Sequence, residues 1–241
     1  MAPKHKFAAR EAVVRWLQET GHEPLVRVNA GDSPYQADDL AALGSLRVAG
    51  VIVPKVNTPR DLHALRVGWP AATLFPLIET AQGLEHATEI ASVPGVGQLL
   101  LGALDLHADC GIDYPHPALL EHARLGLVLA SRCAGIVAPI DTPHPAVREF
   151  EEVAKYARAF ARPGFAGKLC IHPGQIASVA DAFRPSEEQL QWARADGRCA
   201  RGRLGECPAG AHCGIARARR PMARRLRPGD TALRGVPQMR R

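Results

Sequence analysis

The sequence predicts an α/β fold of the (β/α)8 barrel type, with about six of the eight βα units present. Three observations carry that expectation. Between residues 21 and 185, short apolar runs alternate six times with helical patterns. The runs are nearly continuous in apolar character, as parallel strands buried on both faces require. The polar residues closing them, Arg27, Asn29, Lys55, Glu79, Asp105, Asp141 and His172, all fall at C-terminal ends, the face on which such barrels carry their sites. A doubly wound sheet would also place ligands there. However, neither the GxGxxG turn usual in that fold nor a P-loop occurs.

The elements follow in order. A helical pattern over Lys6–Glu19 leads into a strand at Leu25–Asn29 and a helix at Asp38–Leu46. The next strand, Gly50–Val56, precedes a helix over Thr58–Val67, where Thr58 can cap and Pro59 suits the first turn. Strand Thr73–Ile78 precedes helix Ala81–Ser92, for which Thr80 is a cap. Strand Gly97–Leu104 is followed by helix Pro117–Ser131, strand Gly135–Ile140, helix His144–Ala161 and strand Gly167–Ile171. No apolar run reaches the roughly 18 residues that cross a bilayer. The basic start, Met1 to Lys6, has no apolar stretch or cleavage site behind it, so a cytoplasmic protein without secretory signal or membrane partner is expected.

The net charge of +6 divides unevenly. Residues 1–196 hold 18 Lys and Arg against 22 Asp and Glu, whereas residues 197–241 hold 12 Arg against Glu206 and Asp230. The chain therefore reads as a barrel domain over 1–194 and an Arg-rich tail over 195–241. The tail has too little apolar periodicity to offset its ordering entropy and is expected to be disordered. It carries no Phe, Tyr or Trp, so specific nucleic-acid binding is not expected, although its charge would attract polyanions. Cys199, Cys207, His212 and Cys213 have spacings that fit no common zinc finger. Cys110, Cys133 and Cys170 stand singly and read as reduced thiols.

Two runs concentrate the chemistry. Phe75-Pro76-Leu77-Ile78-Glu79-Thr80 and Leu99-Leu100-Leu101-Gly102-Ala103-Leu104-Asp105-Leu106 each bring one carboxylate to a strand end. Such a pair suits a hard divalent cation such as Mg²⁺, which prefers oxygen ligands. Leu25-Val26-Arg27-Val28-Asn29 adds a cation at an equivalent position, and metal plus arginine suits a substrate bearing a carboxylate. Lys55 reads equally as an ion-pair partner or a ligand contact. His172, before Pro173, reads as an orienting hydrogen-bonding residue. Asp109 and Asp113 read as loop carboxylates, and Asp141-Thr142-Pro143 as part helix cap and part pocket wall.

Five segments in order, Arg27-Val28-Asn29, Pro54-Lys55-Val56, Pro76-Leu77-Ile78-Glu79-Thr80, Gly102-Ala103-Leu104-Asp105-Leu106 and Cys170-Ile171-His172-Pro173, resemble the HpcH/HpaI aldolase and citrate lyase superfamily. The resemblance runs from about residue 5 to about 194 and is to the citrate lyase β-subunit-like branch (citryl-CoA, malyl-CoA and citramalyl-CoA lyases). It implies a Mg²⁺-dependent TIM barrel, usually a homo-oligomer, cleaving a 3-hydroxyacyl-CoA to an acyl-CoA and a 2-oxo acid. By the same resemblance Glu79 and Asp105 would hold the metal. Arg27 and Glu79 would bind substrate, and all three would form the catalytic set. The alternatives are a 2-oxo-acid aldolase working without CoA, or an inactive metal-binding remnant.

Members of that branch begin with a Phe-Val-Pro-Gly-like strand and reach an acidic second strand, whereas this chain starts in what resembles their second helix. They also carry an Asp-Gly-Lys-Met-like segment beyond the position of Trp192, where this chain reads Gly197-Arg198-Cys199-Ala200-Arg201-Gly202-Arg203. The expectation is therefore a domain truncated at its N-terminus and divergent or frameshifted at its C-terminus.

Overall fold

The computed structural model describes residues 3–161, 164–188, 190–192 and 194. A 3-10 turn at Pro3–His5 opens into helix α1, Lys6–Thr20. Six parallel strands follow, β1 Leu25–Arg27, β2 Gly50–Val53, β3 Leu74–Ile78, β4 Gln98–Leu101, β5 Val137–Asp141 and β6 Gly167–Lys168, hydrogen-bonded in sequence order. The connecting helices are α2 Gln36–Leu43, α3 Arg60–Gly68, α4 Ala81–Glu85, α5 Ala87–Ala91, α6 Ala103–Cys110, α7 Pro117–Cys133 and α8 Phe150–Ala161. Helix α9, Gln175–Ala182, follows β6. Six successive parallel βα units make an open arc of a (β/α)8 barrel, in which β1 and β6 are the end strands among the described residues.

Register explains why the strands read as unbroken apolar runs. Val51 pairs with Leu74, and Val51, Leu74, Ile78, Leu99 and Leu101 all point into the helical layer, with Leu62, Leu65, Ile90 and Leu127 packed over them. Each of these side chains is at most 2% exposed, and each contributes about 1.5–3 kcal/mol of burial. The opposite face lines the inside of the arc, where Arg27, Ile52 and Phe75 pair in register and Leu77 pairs with Leu100. Arg27 is exposed and Ile52 and Phe75 are partly exposed, so the inner face of the first three strands is not fully covered.

Some local expectations shift. Helix Ala81–Ser92 divides at His86 into α4 and α5, with Thr80 capping α4 by accepting the Gly83 N–H at 3.0 Å. Thr58 does not cap α3; the Asp61 carboxylate instead accepts the Asn57 and Thr58 N–H groups at 2.7 and 2.8 Å. The run Gly97–Leu104 ends as a strand at Leu101, and Asp105 stands on the first turn of α6 rather than on a strand. A second compact unit starts at Arg184. Its described residues are partly helical and include an Arg194–Glu187 ion pair at 3.4 Å. The expectations for the Arg-rich tail, its disorder and its cysteines concern residues 195–241, which lie outside the described residues. No described helix is long and apolar enough to cross a membrane.

One polar cluster interrupts the helical layer. Asp141, fully buried, accepts from Arg124 Nε of α7 at 3.0 Å and from Lys168 Nζ of β6 at 3.1 Å. Asp141 therefore points outward between sheet and helices, not into a pocket wall. The Tyr156 ring of α8 faces both cations, 4.6 Å from Lys168 Nζ and 5.3 Å from the Arg124 guanidinium carbon, which offsets part of the excess positive charge. Burial pushes the Lys168 ammonium below its ordinary pKa, against the pull of Asp141. Asp141→Ala leaves two buried cations without their carboxylate. A loss of about 3–5 kcal/mol is expected in urea unfolding, more than for Lys168→Met.

Candidate active site

Glu79 follows β3 by one residue and shares the inner face of the arc with Leu77, two residues before it. It is 1% exposed, which is a costly place for a carboxylate. One oxygen, Oε1, accepts the Lys55 backbone N–H at 2.9 Å and lies 3.9 Å from the Arg27 guanidinium. The other, Oε2, is buried with no hydrogen-bond partner among the described residues. Burial first, and the neighbouring Asp105 next, push the Glu79 pKa from 4.5 up to about 7, against the opposing field of Arg27 and the Lys55 N–H. A buried carboxylate beside a second one favours its protonated form, because like charges repel and burial disfavours the ion.

Two backbone features make the approach possible. Lys55 takes a left-handed conformation, φ 53°, which a non-glycine residue adopts at a cost and which aims its N–H at Glu79. Gly102 passes so close to Glu79 that a Cβ there would come within 2.6 Å of the Glu79 Cβ and 2.8 Å of Oε2. Only glycine allows β4 to end against that side chain, and α6 then starts at once and carries Asp105. Asp105 itself is exposed and faces solvent on one side.

Arg27 and Asp105 therefore both lie close enough to act on Glu79, with Asp105 delivered by a helix rather than a strand. Lys55 contributes through its backbone, and its side chain makes no ion pair among the described residues. Asn29 serves the scaffold: its amide and side chain donate to Asp39 Oδ2 of α2, its oxygen accepts from Lys6 of α1, and its carbonyl accepts from Gln36. Asp109 is a tether, accepting the Ala81 N–H at 2.8 Å. His172 accepts the Gly174 N–H at 3.0 Å through Nδ1, an orienting contact of its own loop. Sequence reasoning missed the roles of Gly102 and of the Lys55 backbone. A glycine closing an apolar run was the available signal for the first.

A cleft of about 470 Å³ opens beside Glu79, lined by Lys6, Arg27, Asn29 and Lys55 with Val28 among its apolar walls. Arg10 and the carboxylates of Asp39 and Glu79 line it as well; Arg10 is paired with Asp39 at 3.0 Å, and the remaining cations, Lys6, Arg27 and Lys55, over an apolar floor suit an anionic ligand with an apolar stem. The donor set also limits the metal. No cluster of three or more His, Cys, Asp or Glu side chains exists among the described residues. A carboxylate pair with one orphaned oxygen fits Mg²⁺, which keeps waters and takes the rest of its shell from substrate oxygens.

The family profile of HpcH/HpaI aldolase/citrate lyase matches residues 1–173. The chain belongs to this family. It is 35% identical to a citrate lyase subunit beta-like protein of Mycobacterium tuberculosis over 203 residues, covering 80% of this chain and 71% of the relative. It is 32% identical to a (3S)-malyl-CoA thioesterase of Cereibacter sphaeroides, covering 80% of this chain and 69% of the relative. The M. tuberculosis CitE structure in complex with magnesium, acetoacetate and coenzyme A superposes with a TM-score of 0.71 at 33% identity, over 85% of this chain and 77% of that one. The membership expected from the five ordered segments stands.

The displaced pKa of Glu79 gives a stability signature for the metal-free protein. Its folded pKa lies above the unfolded value, so its contribution to stability is complete below pH 4.5 and is lost as the pH rises through about 7. The total change approaches about 3 kcal/mol. Urea unfolding without Mg²⁺ should show this fall between pH 4.5 and 8, and Glu79→Gln should flatten it.

Proposed function

We propose that this chain is a Mg²⁺-dependent carbon–carbon lyase acting on a 3-hydroxyacyl-CoA of the citryl-, malyl- or citramalyl-CoA type. The observation that carries the reading is the desolvated, half-satisfied Glu79 carboxylate facing Asp105, with Arg27 on the same inner face. The CitE complex with magnesium, acetoacetate and coenzyme A supports it, as a homologue that takes a metal, an oxo acid and CoA together.

Glu79 and Asp105 hold the metal in this reading. Mg²⁺ there supplies Lewis-acid polarisation of a carbonyl oxygen and a template for a carboxylate. Arg27, exposed and held among the described residues only by a 3.9 Å contact, can turn its planar fork onto the carboxylate of the oxo-acid part. It also offers positive charge already in place for the enolate that forms when the carbon–carbon bond breaks. Lys55 and Lys6 flank the cleft through which the rest of an anionic thioester would extend.

Isothermal titration with Mg²⁺ plus oxaloacetate tests the assignment. Wild type should bind, Glu79→Ala and Asp105→Ala should each lose at least about tenfold, and binding by both variants equal to that of wild type would sink the reading. Arg27→Ala should weaken oxaloacetate by about 10- to 100-fold, since a charge-assisted hydrogen bond contributes about 1.5–3 kcal/mol, and Arg27→Lys should recover only part.

A second reading is favoured by the relative named a thioesterase: hydrolysis of the same thioester. Product analysis separates the two, since a lyase yields acyl-CoA and a 2-oxo acid while a hydrolase releases free CoA. A binding protein without turnover is the third outcome. No further His, Cys, Asp or Glu joins the Glu79–Asp105 pair in a cluster among the described residues. A missing general acid or base costs about 10²–10⁴-fold in rate. The reading also includes a homo-oligomer, because the outer edges of β1 and β6 have no strand partner among the described residues. Sedimentation should show concentration-dependent association, and a monomer across the micromolar range would count against it.

A further inference from the structure

We infer that Thr142 is a positioning residue for Asp105, acting through the first turn of α6. The inference rests on the reading of Glu79 and Asp105 as the Mg²⁺ pair. Helix α6 spans only Ala103–Cys110, too short to hold its own place by propensity, so its tethers decide where Asp105 stands. Its N-cap is Gly102, which has no side chain to satisfy the orphan N–H groups of the first turn. That role passes to a residue 39 positions away: Thr142 Oγ1 accepts the Ala103 N–H at 3.2 Å, two residues before Asp105.

Thr142 is itself held rigidly. It is 2% exposed, and its carbonyl accepts a hydrogen bond from Lys168 Nζ, the ammonium that also pairs with Asp141 at 3.1 Å. The ionic cluster of the helical layer is thereby connected through one threonine to the inner-face site. The other tethers of α6 point the same way. The Gly102 N–H donates to the Ile78 carbonyl at 2.9 Å, and Asp109 accepts the Ala81 N–H at 2.8 Å, so α6 is bound to residues on both sides of Glu79. Gly102 already touches Glu79, which leaves no slack on that side. Release of the Ala103 bond lets the first turn rotate, and Asp105 moves relative to Glu79 with it.

Titration of Mg²⁺ alone into wild type, Thr142→Val, Thr142→Ser and Asp105→Ala tests this. Valine keeps the shape and removes the acceptor; serine keeps the acceptor. An outer partner of a metal ligand typically affects affinity by about 10- to 100-fold. Thr142→Val should therefore bind at least about tenfold more weakly, and Thr142→Ser should stay within about threefold of wild type. A merely structural threonine would not give that separation between the two substitutions. If Asp105→Ala loses binding while Thr142→Val stays within about threefold of wild type, the inference is overturned and the metal assignment stands. If Asp105→Ala binds as wild type does, the metal assignment itself fails and takes the inference with it. Hydrogen exchange in the wild type keeps the test open should Thr142→Val not fold. The Ala103 amide should be protected as well as that of Leu106, and exchange at the rate of an open amide overturns the proposal.

Discussion

A carboxylate held out of water on the inside of an open barrel is the constraint on which the rest of the site depends. Glu79 is 1% exposed, and only one of its two oxygens has a donor among the described residues. Everything around it answers that cost. Lys55 adopts a left-handed backbone to present an N–H, Arg27 lies at the edge of ion-pairing distance, and Gly102 gives up a side chain so that α6 can begin beside it. The result is a site with strong demand for one more cation and little room for a large ligand at the carboxylate itself.

The two faces of the sheet have different tasks, and register separates them. Outward residues such as Leu74, Ile78 and Leu101 are sealed under helices and carry the burial energy. Inward residues such as Arg27 and Phe75 are left partly open, and on this face Arg27 and Glu79 carry the polar chemistry. The Arg124–Asp141–Lys168 cluster is an exception, because it places charge in the stabilising layer. Buried ion pairs seldom add net stability over apolar packing, but they tolerate only one arrangement of their partners. Here that rigidity reaches the end of β5, where Thr142 meets the start of α6.

The cleft beside Glu79 differs in character from the carboxylate pair. Its cations come from α1, β1 and the residues after β2, and its floor from valines. A ligand that joins a small anionic head to a longer anionic arm matches both halves at once. The thioester reading and the metal reading therefore rest on adjoining parts of the molecule that share Arg27 and Glu79.

Much of this was legible in the chain. Near-continuous apolar strands and their polar C-terminal residues pointed to parallel βα units, and Arg27, Glu79 and Asp105 were identifiable because short-range pattern places them at element ends. Thr80 as a cap is equally local, since its side chain reaches an N–H three residues on. What depended on distant partners was not legible. Asp141 looked like a barrel-top residue until register turned it toward Arg124 and Lys168, 17 and 27 positions away. Asp105 looked like a strand end, but Gly102 and the remote Thr142 hydroxyl start a helix there instead. The sequence by itself determined the order of elements and which polar side chains close the strands, because periodicity and residue type are local properties. Only the tertiary structure decided which face each side chain takes and which orphan groups meet, because those follow from strand register and close packing between segments far apart in the chain.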